Sequence, residues 1–176
     1  TSLMAVPAVH AAGSEEIKVA LIGCGGRGTG AAINALRADK RNKLTVLADA
    51  FGDKIEHTRR TIANNEAVAS QLEVKPEQCF SGLDAYKQVM ATDVDAVLLC
   101  TPPHFRPTQL KAAIDAGKHV FCEKPVAVDA PGVRSVLKTT EEARAKGLAI
   151  VSGLCWRYDL AVRETIKRIQ NGAIGH

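Results

Sequence analysis

Residues 19–28 read VALIGCGGRG, a short apolar run that ends in Gly23, Gly25 and Gly28 at G-x-G-x-x-G spacing and leads into AAINALRA, a helix-compatible segment. The order strand, glycine turn, helix is the context in which such a triplet marks a dinucleotide site. Each glycine meets a separate need. Gly23 allows the tight turn, Gly25 lets the backbone approach a pyrophosphate, and Gly28 permits close packing of helix on strand. Cys24, Gly26 and Arg27 complete the candidate binding segment. The free N–H groups and partial positive charge at the helix start favour an anion there. This motif predicts a Rossmann-type, doubly wound parallel α/β sheet.

A second apolar run, LTVLAD, ends in Asp49. That lies about twenty residues beyond the last glycine, where a ribose-binding acid belongs. A carboxylate there accepts hydrogen bonds from ribose hydroxyls and repels a 2′-phosphate, which favours NAD over NADP. Arg27 and Lys54 are close enough in sequence to pair with that phosphate, so NADP stays open.

Strand and helix patterns alternate along the rest of the chain. Helices are expected over 53–64, 84–90, 107–116, 129–146 and 159–171, with strands at 78–81 and in the runs DAVLLCTP, KHVFCEKP and LAIVSG. Pro107 suits a first helical turn, and Gly117, Gly147 and Gly172 each follow a helix where a C-terminal cap is wanted. Alternation of this kind implies right-handed crossovers and a single sheet. The apolar runs DAVLLC and LAIVSG fit strands covered on both faces. Residues 15–176 read as one Rossmann domain, too short for a full substrate domain as well.

The 23 Lys and Arg against 19 Asp and Glu form no basic block, and aromatic residues are 4% of the chain, so nothing suggests a nucleic-acid surface. No run approaches a membrane span. Residues 1–14, TSLMAVPAVHAAGS, read either as a disordered tail or as the remnant of an export signal, with Val9-His10-Ala11 before Ala12 like a signal-peptidase site. The chain is thus exported or cytoplasmic. The five cysteines show no zinc spacing, and no metal is expected. Four of them, Cys24, Cys100, Cys122 and Cys155, fall near strand ends and read as small buried hydrophobes.

Ligands of open α/β sheets bind beyond the carboxyl ends of the strands. Residues just after the fourth strand are Thr101, Pro102, Pro103 and His104; after the fifth come Glu123, Lys124 and Pro125; after the sixth come Trp156, Arg157 and Tyr158. With GCGGRG and Asp49, this set resembles the family named for glucose-fructose oxidoreductase, inositol dehydrogenase and a rhizopine catabolism protein, Gfo/Idh/MocA. The resemblance runs from Ile17 to His176, and its most specific element is the EKP of Glu123-Lys124-Pro125.

The resemblance implies a two-domain oxidoreductase of sugars or polyols whose N-terminal half holds NAD or NADP. It implies that Glu123 sits near the nicotinamide ribose, that Lys124 acts on the reacting hydroxyl, and that Thr101 and Pro102 lie against the cofactor. His104, Trp156 and Arg157 join the candidate cofactor contacts. The sequence departs from the family pattern at Pro103, commonly Asn or Asp, and at Arg106, commonly His. The family's general base lies in a C-terminal domain, and no residue here matches it. The expectation is therefore a cofactor domain that is inactive alone. An NAD-dependent glycosidase and a non-catalytic NAD-binding module are the competing readings, and a homo-oligomer of a longer form is left open.

Overall fold

A computed structural model describes residues 16–175. The export-signal reading falls on residues outside that range. In chain order the elements are β1 (Ile17–Ile22), α1 (Gly26–Ala38), β2 (Asn42–Asp49), α2 (Gly52–Ala63), β3 (Cys79–Ser81) and α3 (Ala85–Met90). They continue as β4 (Ala96–Leu99), α4 (Arg106–Asp115), β5 (His119–Cys122), α5 (Ala130–Ala145), β6 (Ile150–Ser152) and α6 (Leu160–Gln170). Short 3-10 turns stand at Ala69–Gln71, Pro76–Gln78 and Cys155–Arg157. The six strands form one sheet in the order β3-β2-β1-β4-β5-β6, every pairing parallel. The order reverses between β1 and β4, which opens a crevice at their carboxyl ends.

Alternation along the strands builds two cores. Ala20, Ile22, Val97 and Leu99 face one side with Leu110 and Ile114 of α4, while Val19, Leu21 and Leu98 face the other with Leu36 of α1 and Ile62 of α2. In β2 the alternation breaks: Leu44 and Leu47 share one face, and Val46 and Ala48 the other. The register shifts between Val19 and Ala20, whose β2 partners are Leu44 and Val46, so Thr45 is an extra residue. Such a bulge lets one strand supply both cores without an exactly alternating sequence. The Thr45 hydroxyl is buried without a hydrogen-bond partner among the described residues.

One expectation is corrected at the sheet edge. LAIVSG reads as a strand covered on both faces, yet β6 is the last strand and Val151 is 46% exposed. The run is apolar, but no further strand pairs with β6 among the described residues, and α6, the next helix in the chain, buries none of its own residues. Among the described residues no helix is long and apolar enough to cross a membrane.

Candidate functional site

Parallel register sets the site. Ile22 stands beside Ala48 and Leu99, Leu99 beside Cys122, and Cys122 beside Ser152. The next residue of each strand therefore falls in one row along the carboxyl edge: Gly23, Asp49, Cys100, Glu123 and Gly153. Ladder bonds extend into the row, Gly23 N–H to the Ala48 carbonyl at 2.8 Å, Glu123 N–H to Leu99 at 3.0 Å and Gly153 N–H to Cys122 at 2.9 Å. A cleft of about 1140 Å³ runs along this row.

In the glycine turn, Gly23 has φ +99°, and a Cβ there would lie 2.6 Å from the Cys100 carbonyl carbon. At Gly28 a Cβ would stand 1.8 Å from the Gly23 carbonyl oxygen, so α1 rests directly on the turn. Gly25 is the contrast. It lines the cleft, and a Cβ would meet nothing within 4 Å. Gly25 is also the N-cap of α1, which has no side-chain cap, whereas Asp129 caps α5 and Asp159 caps α6 through hydrogen bonds to Gly132 N–H and Val162 N–H. The first-turn donors of α1 are thus available to an anion.

Asp49 ends β2 against this turn. Its Oδ2 accepts from Cys24 N–H at 2.6 Å and its Oδ1 from Phe51 N–H at 3.0 Å. Each carboxylate oxygen can accept two bonds, so the orientation is held and capacity remains for two hydroxyls. The exposed side chains of Phe51 and Leu83 line the same end of the cleft as apolar walls. Neither carries a motif, and sequence reasoning missed both.

The other end is charged. Glu123 is buried, accepting from Arg27 Nε at 2.6 Å and from Lys124 N–H at 3.0 Å. Arg27 therefore engages Glu123 and does not stand by Asp49, while Lys54 lines the cleft. Gly153 makes room for Glu123, since a Cβ there would be 2.8 Å from Oε1. Lys124 is exposed and lines the cleft.

Arg106, a departure from the family pattern in sequence, is buried and organises the loops. It donates from one terminal nitrogen to the Thr101 carbonyl at 2.6 Å and from the other to the Pro125 carbonyl. The Thr101 hydroxyl donates to Gln109 Oε1 at 2.6 Å. The loops after β4 and β5 are thereby tied together, a role that sequence spacing does not reveal.

Of the glycine-turn candidates, Gly23, Gly25 and Arg27 line the cleft while Cys24, Gly26 and Gly28 do not; outside the turn, three further candidates stand apart from the lining. His104 is exposed and meets Phe105 edge-on, while its neighbours Thr101, Pro102, Phe105 and Arg106 line the cleft. Trp156 and Arg157 line a separate groove against α6, because the 3-10 turn after β6 carries them past the row. The cysteines divide as well. Burial pushes the Cys24 and Cys100 thiols up to about 12 and Cys122 to about 11, so these stay protonated and inert at neutral pH. Cys155 is exposed, contrary to the buried reading. Among the described residues no cluster of His, Cys, Asp or Glu could hold a metal ion.

The cleft is larger than the roughly 300–1,000 Å³ usual for drug-sized ligands. Its residues fit an elongated dinucleotide: a hydroxyl acceptor at Asp49, open backbone at Gly25, uncapped helix donors and a polar end at Glu123. Comparison with known proteins agrees. Residues 17–151 match the oxidoreductase family with an NAD-binding Rossmann fold, Gfo/Idh/MocA. The chain is 30% identical over 164 residues to an inositol 2-dehydrogenase of Rhodococcus erythropolis, covering 92% of this chain and 42% of that protein. It is 32% identical over 154 residues to an inositol 2-dehydrogenase of Cereibacter sphaeroides, covering 86% and 41%. The crystal structure of myo-inositol 2-dehydrogenase from Lactobacillus plantarum superposes with a TM-score of 0.72 at 27% identity, covering 92% of this chain and 43% of that one. The chain thus spans about two fifths of the length of these relatives. With the glycine turn, the acid after β2 and the parallel six-stranded sheet, these matches show that the chain belongs to the Gfo/Idh/MocA oxidoreductase family and forms its NAD-binding Rossmann domain.

Proposed function

We propose that this chain is the cofactor-holding part of an NAD-dependent dehydrogenase of a cyclic polyol or related sugar. The observation that carries the reading is one continuous cleft joining Asp49 and the glycine turn to Glu123 and Lys124, in a chain whose relatives include inositol dehydrogenases. When bound, the nicotinamide supplies the hydride acceptor. Asp49 holds the adenosine ribose, the Gly25 and Gly26 backbone faces the pyrophosphate, and Thr101, Pro102 and Glu123 frame the nicotinamide end. Lys124, fixed at its backbone by Glu123, polarises the reacting hydroxyl and helps remove its proton. A general base and the rest of the polyol pocket come from chain outside the described residues, so residues 1–176 bind cofactor with little or no turnover. The small, apolar segment ending at Val9-His10-Ala11-Ala12 supports export, which N-terminal sequencing of the mature protein tests.

Calorimetric titration tests the cofactor assignment. Removing hydrogen bonds to a charged acceptor costs about 1.5–3 kcal/mol, so Asp49→Ala should weaken NAD roughly tenfold to a hundredfold and narrow the preference over NADP. Equal affinity for both cofactors in the unmutated chain, unchanged in the variant, would overturn it. In a longer form that oxidises a polyol, Lys124→Met should lower kcat by about a hundredfold, the scale of a positioned acid-base group, with NAD affinity little changed. An unchanged kcat would remove the role given to the lysine.

A further inference from the structure

Behind the glycine turn, on the side away from the cleft, lies a pair of buried hydroxyls with no part in the motif. Thr58 of α2 is 0% exposed and Thr29 of α1 is 6% exposed. Their Oγ1 atoms are 2.7 Å apart; Thr58 Oγ1 lies 2.9 Å from the Cys24 carbonyl and Thr29 Oγ1 lies 3.0 Å from the Gly25 carbonyl. Three short contacts share two hydroxyl protons, so one contact carries none. The Gly25 carbonyl already accepts from Thr29 N–H at 2.9 Å. The Cys24 carbonyl has Thr58 as its donor among the described residues. Both arrangements that give the Cys24 carbonyl a donor have the Thr58 hydroxyl donating to it, with the Thr29 hydroxyl donating either to the Gly25 carbonyl or to Thr58 Oγ1.

We infer that Thr58 is a positioning residue for dinucleotide binding: its hydroxyl sets the orientation of the Cys24–Gly25 peptide, and through it the amide that faces the pyrophosphate. In a trans peptide the carbonyl and the following N–H point in opposite directions. Drawing the Cys24 carbonyl inward onto Thr58 turns the Gly25 N–H outward, on the side where Gly25 lines the cleft. The preceding peptide is held as well, since Cys24 N–H donates to Asp49 Oδ2 at 2.6 Å. Cys24 is therefore gripped at both its backbone groups, by the ribose acid on one side and by α2 on the other. Glycine-rich backbone has many accessible conformations, and these two bonds select one before ligand arrives, which lowers the ordering cost of binding.

This inference rests on the cofactor reading of the cleft, and the two can fail separately. NAD is titrated calorimetrically into the unmutated chain and into Thr58→Val, Thr58→Ser, Thr29→Val and Thr139→Val, at a temperature where each is folded. Thr139 is a buried threonine of α5 whose hydroxyl bonds to the Ser135 carbonyl of its own helix, so its variant reports on the loss of a buried hydroxyl far from the turn. Thr58→Val should weaken NAD about tenfold, the consequence of losing one buried hydrogen bond in full. Thr58→Ser should restore affinity, Thr29→Val should cost about threefold or less because Cys24 keeps its donor, and Thr139→Val should leave affinity unchanged. Should Thr58→Val not fold, Thr58→Ala against Thr58→Ser gives the same comparison. Normal affinity in Thr58→Val or Thr58→Ala, or a loss in Thr58→Ser as large as in Thr58→Val, overturns the positioning role while leaving the cofactor reading in place. No NAD binding by the unmutated chain overturns both.

Discussion

Gly28→Ala is expected to abolish dinucleotide binding and to destabilise the domain by about 3 kcal/mol or more, the upper end for forced overpacking. The added methyl would sit 1.8 Å from the Gly23 carbonyl oxygen and 3.2 Å from the Cys100 Cβ. The Gly23 oxygen is backbone and cannot rotate away, so α1 has to lift from the turn and lose its packing on Leu21 and Leu47. Gly25→Val should do the opposite. Its φ of −74° is open to any residue, and an added Cβ has no protein atom within 4 Å. Stability should stay within about 1 kcal/mol, since only an exposed cap position changes, while NAD binding is lost because the valine fills the space beside the pyrophosphate. Thermal unfolding and calorimetric titration of the two variants separate these outcomes. A Gly28→Ala protein as stable as the parent would show that helix and turn are not in contact, and a Gly25→Val protein that binds NAD normally would make the turn purely structural.

Arg106→Met should cost about 2–5 kcal/mol, because it strips charge-assisted donors from two carbonyls that are then left without partners. The effect should reach the site. With the Thr101 and Pro125 carbonyls no longer tied to one guanidinium, the loops after β4 and β5 can separate, carrying Thr101 and Lys124 apart. Arg106→Lys should recover only part of the loss, since a single ammonium on a flexible stem lacks the fork that bridges two acceptors. Urea unfolding measures the stability change, and NAD titration on the folded variants measures how much of the cleft depends on the tie. An Arg106→Met chain with unaltered unfolding midpoint would mean the two bonds contribute nothing.

Local pattern carried a large part of this protein. The glycine triplet, the apolar runs and the punctuation by Pro107, Gly117, Gly147 and Gly172 are short-range signals. The helices they predict match α2 to α6 to within a residue or two at each end. A turn that only glycine can make, followed by a helix, admits few architectures, and parallel crossovers then place residues 23, 49, 100 and 123 on one edge whatever the intervening sequence. Asp49 and Glu123 were legible as candidates because each immediately follows an apolar run, where the sheet ends.

What the sequence could not decide depends on partners brought from far along the chain. The bulge at Thr45 answers the needs of two cores at once, and an apolar pattern read along one strand contains no sign of it. Arg27 pairs with Glu123 across 96 residues, and Arg106 binds Pro125 across 19, because α1 and α4 both begin at the same sheet edge. Trp156 and Arg157 follow a strand as Glu123 does, yet a 3-10 turn swings them into another groove. Thr58 looks like any helix threonine until α2 packs beside α1. The chain's own residues determined strand, turn and helix through backbone sterics and hydrophobic period, which act over a few residues; burial, ion pairing and the grip on Cys24 were decided only by tertiary packing, since a hydrogen bond or charge pair depends on distance in space and not on separation in sequence.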